Sequence, residues 1–493
     1  MTTQSVAATG RPAARAGYPR RWLAAIVMIT GALMDMIDVT IVNVALPTIR
    51  RDLHASATQL EWVVSGYMLA FAAALIIAGN LGDLFGRKRV FLCGVAVFGL
   101  ASLAAGLSGS GAELIAARVV QGTAAAAMAP QVLATFRAIF AGPERGKAFS
   151  IYGAMLGFAS AVGLLLGGVL TDANLFGWSW RAVFFVNVPV AAGSLIAGLR
   201  FVPETRDPGA RRPDVPGAVL LAASLVAIVY PLLEGRQLGW PAWVWVLLAA
   251  GLAGLGVLGL LEARRGGRRN GGARAPEGTA PLLRVGLFRV PAFAAGLGVQ
   301  LAFAAGMQGF FLAFALWLQA GEHFSPLKAG LTAAAFSVGS FIGAPAAVPL
   351  AQRHGRRVLA IGGLLMAAGI AGISLAAPHV GLGGSPWPVV PGLVVAGAGL
   401  ALLVIPLVNV VLAAVPAEAA GGAAGLFSTA QQLGGAVGVA LLGTVFFGYL
   451  NGHSFEAAIV RTAPYAIGAF ALCAILSMLL PRTAVSEEAL TES

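Results

Sequence analysis

The sequence predicts an all-α polytopic membrane protein, and three observations carry that prediction. Hydrophobic residues make up 58% of the chain and charged residues only 11%, whereas a soluble domain is about a quarter charged. Fourteen apolar segments approach or exceed the length that spans a bilayer's hydrocarbon, which takes roughly 20 residues of helix. The remaining charges collect in the short loops between those segments, where basic residues encode orientation. A core of 493 residues could not hide so many apolar side chains, so lipid must be their solvent.

Taken in order, the segments cover 22–46, 59–80, 89–109, 112–138, 147–171, 182–203, 215–234, 242–262, 290–320, 327–350, 357–377, 387–414, 424–450 and 463–481. They group as six helices in 22–203, two in 204–262 and six in 290–481, with tails at 1–21 and 482–493. The stretch 263–289 is rich in Gly and Arg and carries Pro276 and Pro281, so it reads as a flexible linker. An even number of spans puts both termini on one side. Of 32 basic residues, 25 lie in loops and tails of that side, 6 on the opposite side, and Arg118 within a span. That imbalance predicts cytoplasmic termini. Trp62, Trp178, Trp180, Trp240, Trp243, Trp245, Trp317 and Trp387 map near the outer interface and only Trp22 near the inner one. The first apolar run exceeds a signal-peptide core and is expected to stay as a span. Arginine outnumbers lysine 29 to 3 in a chain rich in Ala and Gly, which points to a bacterial, GC-rich source.

Several function classes drop out. The net charge of +12 is spread over loops, which does not make a nucleic-acid surface. His54, His323, His354, His379 and His453 all fall at loops or span ends, with no metal-ligand spacing and no phosphate-binding loop, so an enzyme is not expected. Cys93 and Cys473 lie in apolar segments and read as small buried hydrophobes without a disulfide.

The chemistry concentrates in span one, in the stretch Met34 to Pro47. Of the seven Asp and thirteen Glu, only Asp35 and Asp38 lie well inside a span. Three residues apart, they share a helix face, and an ionised carboxylate there costs several kcal/mol unless paired, hydrated or protonated. Two acids so close titrate as a pair. Arg118 in span four also needs acceptors within the membrane; the span-one acids are the obvious partners, backbone carbonyls the alternative. The loop after span two reads Gly79-Asn80-Leu81-Gly82-Asp83-Leu84-Phe85-Gly86-Arg87-Lys88-Arg89. Its glycines permit a tight turn and close helix approach. Asp83 can face a helix N-terminus or a basic group of the other half, or belong to a plain basic turn. Leu350 to Arg357 echoes this loop after span ten, with Gln352 in the place of Asp83. Two six-helix halves with a site between them are a recurring transporter plan. Gly153, Gly157, Gly163, Gly167 and Gly168 in span five suit close packing. Trp178 to Pro189 supplies an interfacial aromatic anchor and the start of span six. For a substrate cavity the candidates are Tyr67, Gln121, Phe303, Met307, Gln308, Phe311, Asn409 and Gln431, whose aromatic and Met members suit bulky apolar or cationic ligands.

These blocks together resemble the major facilitator superfamily, in particular its fourteen-span drug:proton antiporters, over essentially the whole chain. The resemblance implies two six-helix bundles plus two inserted helices (14 transmembrane helices in all), working by alternating access with protons as the coupling ion and no other cofactor. It implies that Asp38 carries the proton, that Arg118 assists its transfer, and that Gly79, Gly82, Asp83, Gly86, Arg87 and Lys88 form a gating motif. Asp35 has no counterpart in the usual pattern. These antiporters usually carry Gly-Pro ahead of the glycine pair, whereas Leu164 stands here before Gly167 and Gly168. The expected protein is a monomeric multi-pass exporter of hydrophobic or cationic small molecules in the bacterial inner membrane. Export of a lipid, a siderophore or an endogenous metabolite, or a transport-dead sensor, stays open on the same fold.

Overall fold

A computed structural model describes residues 18–206, 214–270, 285–415, 420–450 and 452–481. Most of the expected N-terminal tail, the whole C-terminal tail and the middle of the linker lie outside the described residues. Every expected span has a helix: α1 (Arg21–Asp52), α2 (Ala57–Phe85), α3 (Arg87–Leu107), α4 (Gly111–Ile139), α5 (Gly142–Ala173), α6 (Ser179–Phe201), α7 (Val215–Leu238), α8 (Ala242–Asn270), α9 (Pro291–Leu316), α10 (Pro326–His354), α11 (Arg356–Ala376), α12 (Val390–Ala413), α13 (Ala420–Leu450) and α14 (Phe455–Ser477). No strand occurs among the described residues. Eleven of these helices are long and apolar enough to cross a membrane, and α2 makes a twelfth as a pair of parts bent by 51°. The helix of α8 runs on to Asn270, eight residues into the stretch expected as linker.

The echo between halves is a full structural repeat. The bounds of α2 and α3 map onto those of α10 and α11 with one constant offset of 269 residues. The same offset lays Arg21–Asp52 over α9 and the π-turn Trp317–Gly321 that prolongs it. It superposes Ser56 on Ser325, each capping its helix by accepting a backbone N–H three residues on. It also superposes His54 on His323, both left-handed at φ 50° and 56°. The turn glycines coincide too: Gly86 (φ 105°) and Gly355 (φ 56°) join consecutive helices in a backbone conformation that side chains disfavour.

Packing repeats with the elements. In the first bundle α4 lies against α2 and α3, and α1 against α5 and α6. In the second, α12 lies against α10 and α11, and α9 against α13 and α14. The bundles meet through α2 on α13 and α5 on α10, and α7 rests on both α2 and α13. The cross-bundle contacts cluster at the distal end, opposite the termini. Gln319 donates to the Val44 carbonyl at 2.7 Å, Ser65 to that of Ala436 at 3.4 Å, and Arg50 lies 5.9 Å from the Phe447 ring. Midway along α10, Phe341 and Ile342 are 82% and 64% exposed.

Three readings of single side chains change. Trp180 and Trp317 are fully buried and donate to Asp52 (2.7 Å) and Glu322 (2.8 Å), so they are packing posts and not interfacial anchors. Cys93 is exposed on α3, whereas Cys473 is buried as expected. Glu61 and Glu262, at the ends of their expected spans, are 0% and 3% exposed, so burial of an acid is not confined to Asp38.

Candidate functional site: a charged network inside the first bundle

Asp38 is fully buried, and so is Arg118 at 2% exposure. They form an ion pair through a short contact between the Arg118 guanidinium and Asp38 Oδ2. A pair in such surroundings needs its remaining donors and acceptors satisfied, because desolvation otherwise outweighs the attraction. Here they are. Arg118 Nε donates to the Val63 carbonyl at 3.2 Å, and its Nη1 to Gln121 Oε1 at 3.0 Å. Asp38 Oδ1 accepts from Asn187 Nδ2 at 2.9 Å and Gln121 Nε2 at 3.3 Å. Both amides also donate to Ser102 Oγ, Gln121 at 2.7 Å and Asn187 at 3.4 Å. Five helices thus meet on one ionic centre: α1, α2, α3, α4 and α6. The guanidinium carbon lies 4.2 Å from the centroid of the Tyr67 ring and 6.0 Å from that of Phe184, a desolvated cation–π arrangement.

The Tyr67 hydroxyl turns away from this pair and donates a short hydrogen bond to Asp35. Asp35 is only half-buried, one turn before Asp38 on α1. Sequence reasoning placed Tyr67 and Gln121 in a substrate cavity; the structure puts both, 0% exposed, inside the network. Residue type alone does not show which way a side chain points. Asn187 and Ser102 were missed as site residues, although Asn187, as a polar residue inside an apolar segment, was a signal that the aromatic anchor around it obscured.

The other cavity candidates are scattered. Phe303 is buried, Met307 and Gln431 half-buried, and Asn409 exposed. Gln308 reaches across the seam to Met68, with Nε2 4.0 Å from the sulfur. Phe311 belongs to an aromatic cluster with Phe310, Phe314 and Phe336, the last at 5.2 Å between centroids. Phe311 and Phe314 also line a small cavity with Asn43, Val44, Leu164 and Gln319.

The glycines of α5 make two contacts. A Cβ at Gly167 would stand 2.8 Å from the Ile41 carbonyl, and one at Gly163 would strike Thr40, so α5 lies flush on α1. A Cβ at Gly168 would stand 2.8 Å from the Pro326 carbonyl of α10, and one at Gly330 of α10 2.7 Å from the Leu164 carbonyl. This is where backbones of opposite bundles touch. Gly153 and Gly157 also lie on α5.

In the loop after α2, Asp83 pairs with Arg87 (2.8 Å), whose Nη1 also donates to the Ala134 carbonyl at 3.3 Å. Of the partners the sequence left open for Asp83, the one it meets here is a basic group of its own turn. Lys88 Nζ donates to the Leu199 carbonyl at 2.7 Å, and its backbone N–H to Glu204 at 3.2 Å, tying the loop to the end of α6. A Cβ at Gly82 would collide with Gln131, while Gly79 has room toward Pro130. No His, Cys, Asp or Glu cluster among the described residues could hold a metal.

Two repeated six-helix bundles around a buried ionic centre fit the transporter plan, and the family and its transporter-named relatives make the chain a non-enzymatic membrane transporter. The chain belongs to the Major Facilitator Superfamily, whose profile matches residues 28–439 and 297–493. It is 38% identical to the "Probable actinorhodin transporter" of Streptomyces coelicolor, over 89% of this chain and 74% of that protein. It is 37% identical to the "Puromycin resistance protein pur8" of Streptomyces alboniger, covering 95% and 93%. Among solved structures, a D-xylose-proton symporter superposes with a TM-score of 0.64 at 15% identity, over 94% of this chain and 98% of that one, a likeness of fold alone.

Proposed function

We propose that the protein is a proton-coupled antiporter that exports hydrophobic or cationic antibiotic-like compounds, with both termini in the cytoplasm and the distal end outside. The observation that carries this is the charge balance of the network. Asp35, Asp38 and Arg118 sum to one excess negative charge when both acids are ionised, held in the hydrocarbon region of a bundle whose neighbour opens and closes against it. Such an excess needs a proton or a cation to cross the membrane, which makes the two natural competitors. The relatives named for actinorhodin transport and puromycin resistance support an antibiotic-like cargo. The working unit is a monomer, with lipid around it, small molecules and protons as partners, and no cofactor.

The distal contacts fit the state that loads substrate from the cytoplasm. Gly168 and Gly330 hold the outer side shut, and Asp83, paired within its own turn, does not hold the inner side. Asp83 would find its partner in the second bundle only when the inner side closes. The test is transport in proteoliposomes under an imposed pH gradient, with ethidium as the probe. The wild type is expected to concentrate ethidium only with the gradient in place, and Asp38→Asn is expected to lose that. Equal accumulation without a gradient, or by Asp38→Asn, defeats the coupling claim.

A further inference from the structure

Resting on the antiport reading, a sharper assignment emerges from comparing the two acids of α1. We propose that Asp35, and not the motif acid Asp38, is the exchange carboxylate, taking one proton or the positive centre of a cationic substrate in turn, while Asp38 stays ionised as the fixed counter-ion of Arg118.

Three observations carry it. First, Asp38 has no exposed surface and its oxygens already accept from Arg118, Asn187 and Gln121. A proton there would evict one of three donors, and a substrate could not reach it. Second, Asp35 is half-buried and among the described residues receives one hydrogen bond, from Tyr67, so it keeps open acceptor positions. Third, Asp35 lies where a substrate would pass. Tyr67 from α2 bonds it, and Tyr152 from α5, Arg118 from α4 and Asp38 on its own helix lie within electrostatic reach. Since α1, α2 and α5 all touch the second bundle, the α1 face between α2 and α5 opens toward the space between bundles. Tyr67 in turn stacks on Phe71, at 6.4 Å between centroids. A carboxylate beside aromatic faces suits a lipophilic monovalent cation.

The step balances as follows. With the inner side open, Asp35 gives its proton to the cytoplasm and accepts the cation. With the outer side open, the cation leaves and a proton from outside takes its place on the carboxylate. One proton enters for each monovalent cation exported, and Asp38 and Arg118 keep their charges throughout. Transport of such a cation is therefore electroneutral, responding to a pH gradient and not to membrane potential.

The decisive experiment uses the full-length protein in nanodiscs. Infrared difference spectra are recorded as pH is stepped without any substrate, following the carbonyl band of a protonated carboxyl. That band is expected in the wild type, absent in Asp35→Asn, shifted but present in Asp35→Glu, and still present in Asp38→Glu. A titrating band that survives in Asp35→Asn overturns the assignment, and so does one lost only on changing Asp38. As an independent readout, tetraphenylphosphonium binding is expected to release one proton per cation in the wild type and to weaken about tenfold or more, at least 1.4 kcal/mol, in Asp35→Asn. Unchanged affinity in that variant also overturns it. If no compound is transported against its gradient, the antiport reading fails while the infrared result still decides which acid titrates.

Discussion

The two bundles share a backbone plan and differ in chemistry at its centre. Under the 269-residue repeat, Asp35, Asp38, Tyr67 and Ser102 fall on Ala304, Met307, Phe336 and Ala371. In the first bundle these positions hold an ion pair wrapped in amides; in the second they hold an aromatic and methionine interior with no charge. The helix caps, the turn glycines and even the left-handed histidines are common to both. The difference teaches that this fold is specified by caps, turns and close-packing small residues, and that the charge is an addition carried by one copy. On the proposed reading that addition makes the first bundle the coupling half and leaves the second as the apolar wall.

The comparison can be broken or sharpened by substitution. The largest effect is expected from Arg118→Leu, which strands Asp38 as an unpaired buried charge at about 3–5 kcal/mol. Thermal unfolding in detergent should show a large fall in Tm, and Asp38→Leu combined with Arg118→Leu should recover much of it. If the single variant is no worse than Met307→Leu in the other bundle, the asymmetry has no energetic content. Next comes Met307→Asp, which copies an acid into the second bundle without its arginine. It should cost roughly 2.5–3.5 kcal/mol, seen in the same melt, and should create no new coupling in proteoliposomes. Asn187→Ala removes one donor to Asp38 and should cost about 1–3 kcal/mol, with loss of gradient-driven accumulation out of proportion to the change in Tm. The smallest effect is expected from Asp83→Asn, whose part-exposed pair with Arg87 contributes no more than about 1 kcal/mol. Its signature should be kinetic, a leak of substrate through the closed inner side.

Helices were the legible part of this chain, because an apolar run of spanning length has one solution in lipid. Arg118 and Asp38 were legible as well, since charge inside a span demands a partner of opposite sign. The network around them was not. Gln121, Tyr67 and Asn187 are ordinary residue types whose role depends on the rotation of α4, α2 and α6 about their axes, and an amphipathic period is weak where both faces are apolar. The pairing of Asp83 was illegible for another reason: its expected and observed partners are both basic, and which one it meets depends on the conformation adopted. Glu61 stands near the start of the second apolar segment and is fully buried, because α13 covers it at Gly443. Its burial comes from the second bundle, some 380 residues further along the chain.

The meeting of α5 and α10 at Gly168 and Gly330 has a consequence for how such a machine can change over time. The valve seat is made of main chain, with nothing in it that ionises, binds a solute or discriminates one cargo from another. Under the proposed function command and closure are therefore separate parts: the carboxylates of α1 would decide when the valve moves, while bare peptide decides how tightly it shuts. Side chains lining the passage can then diverge to suit a new antibiotic without loosening the seal against ions.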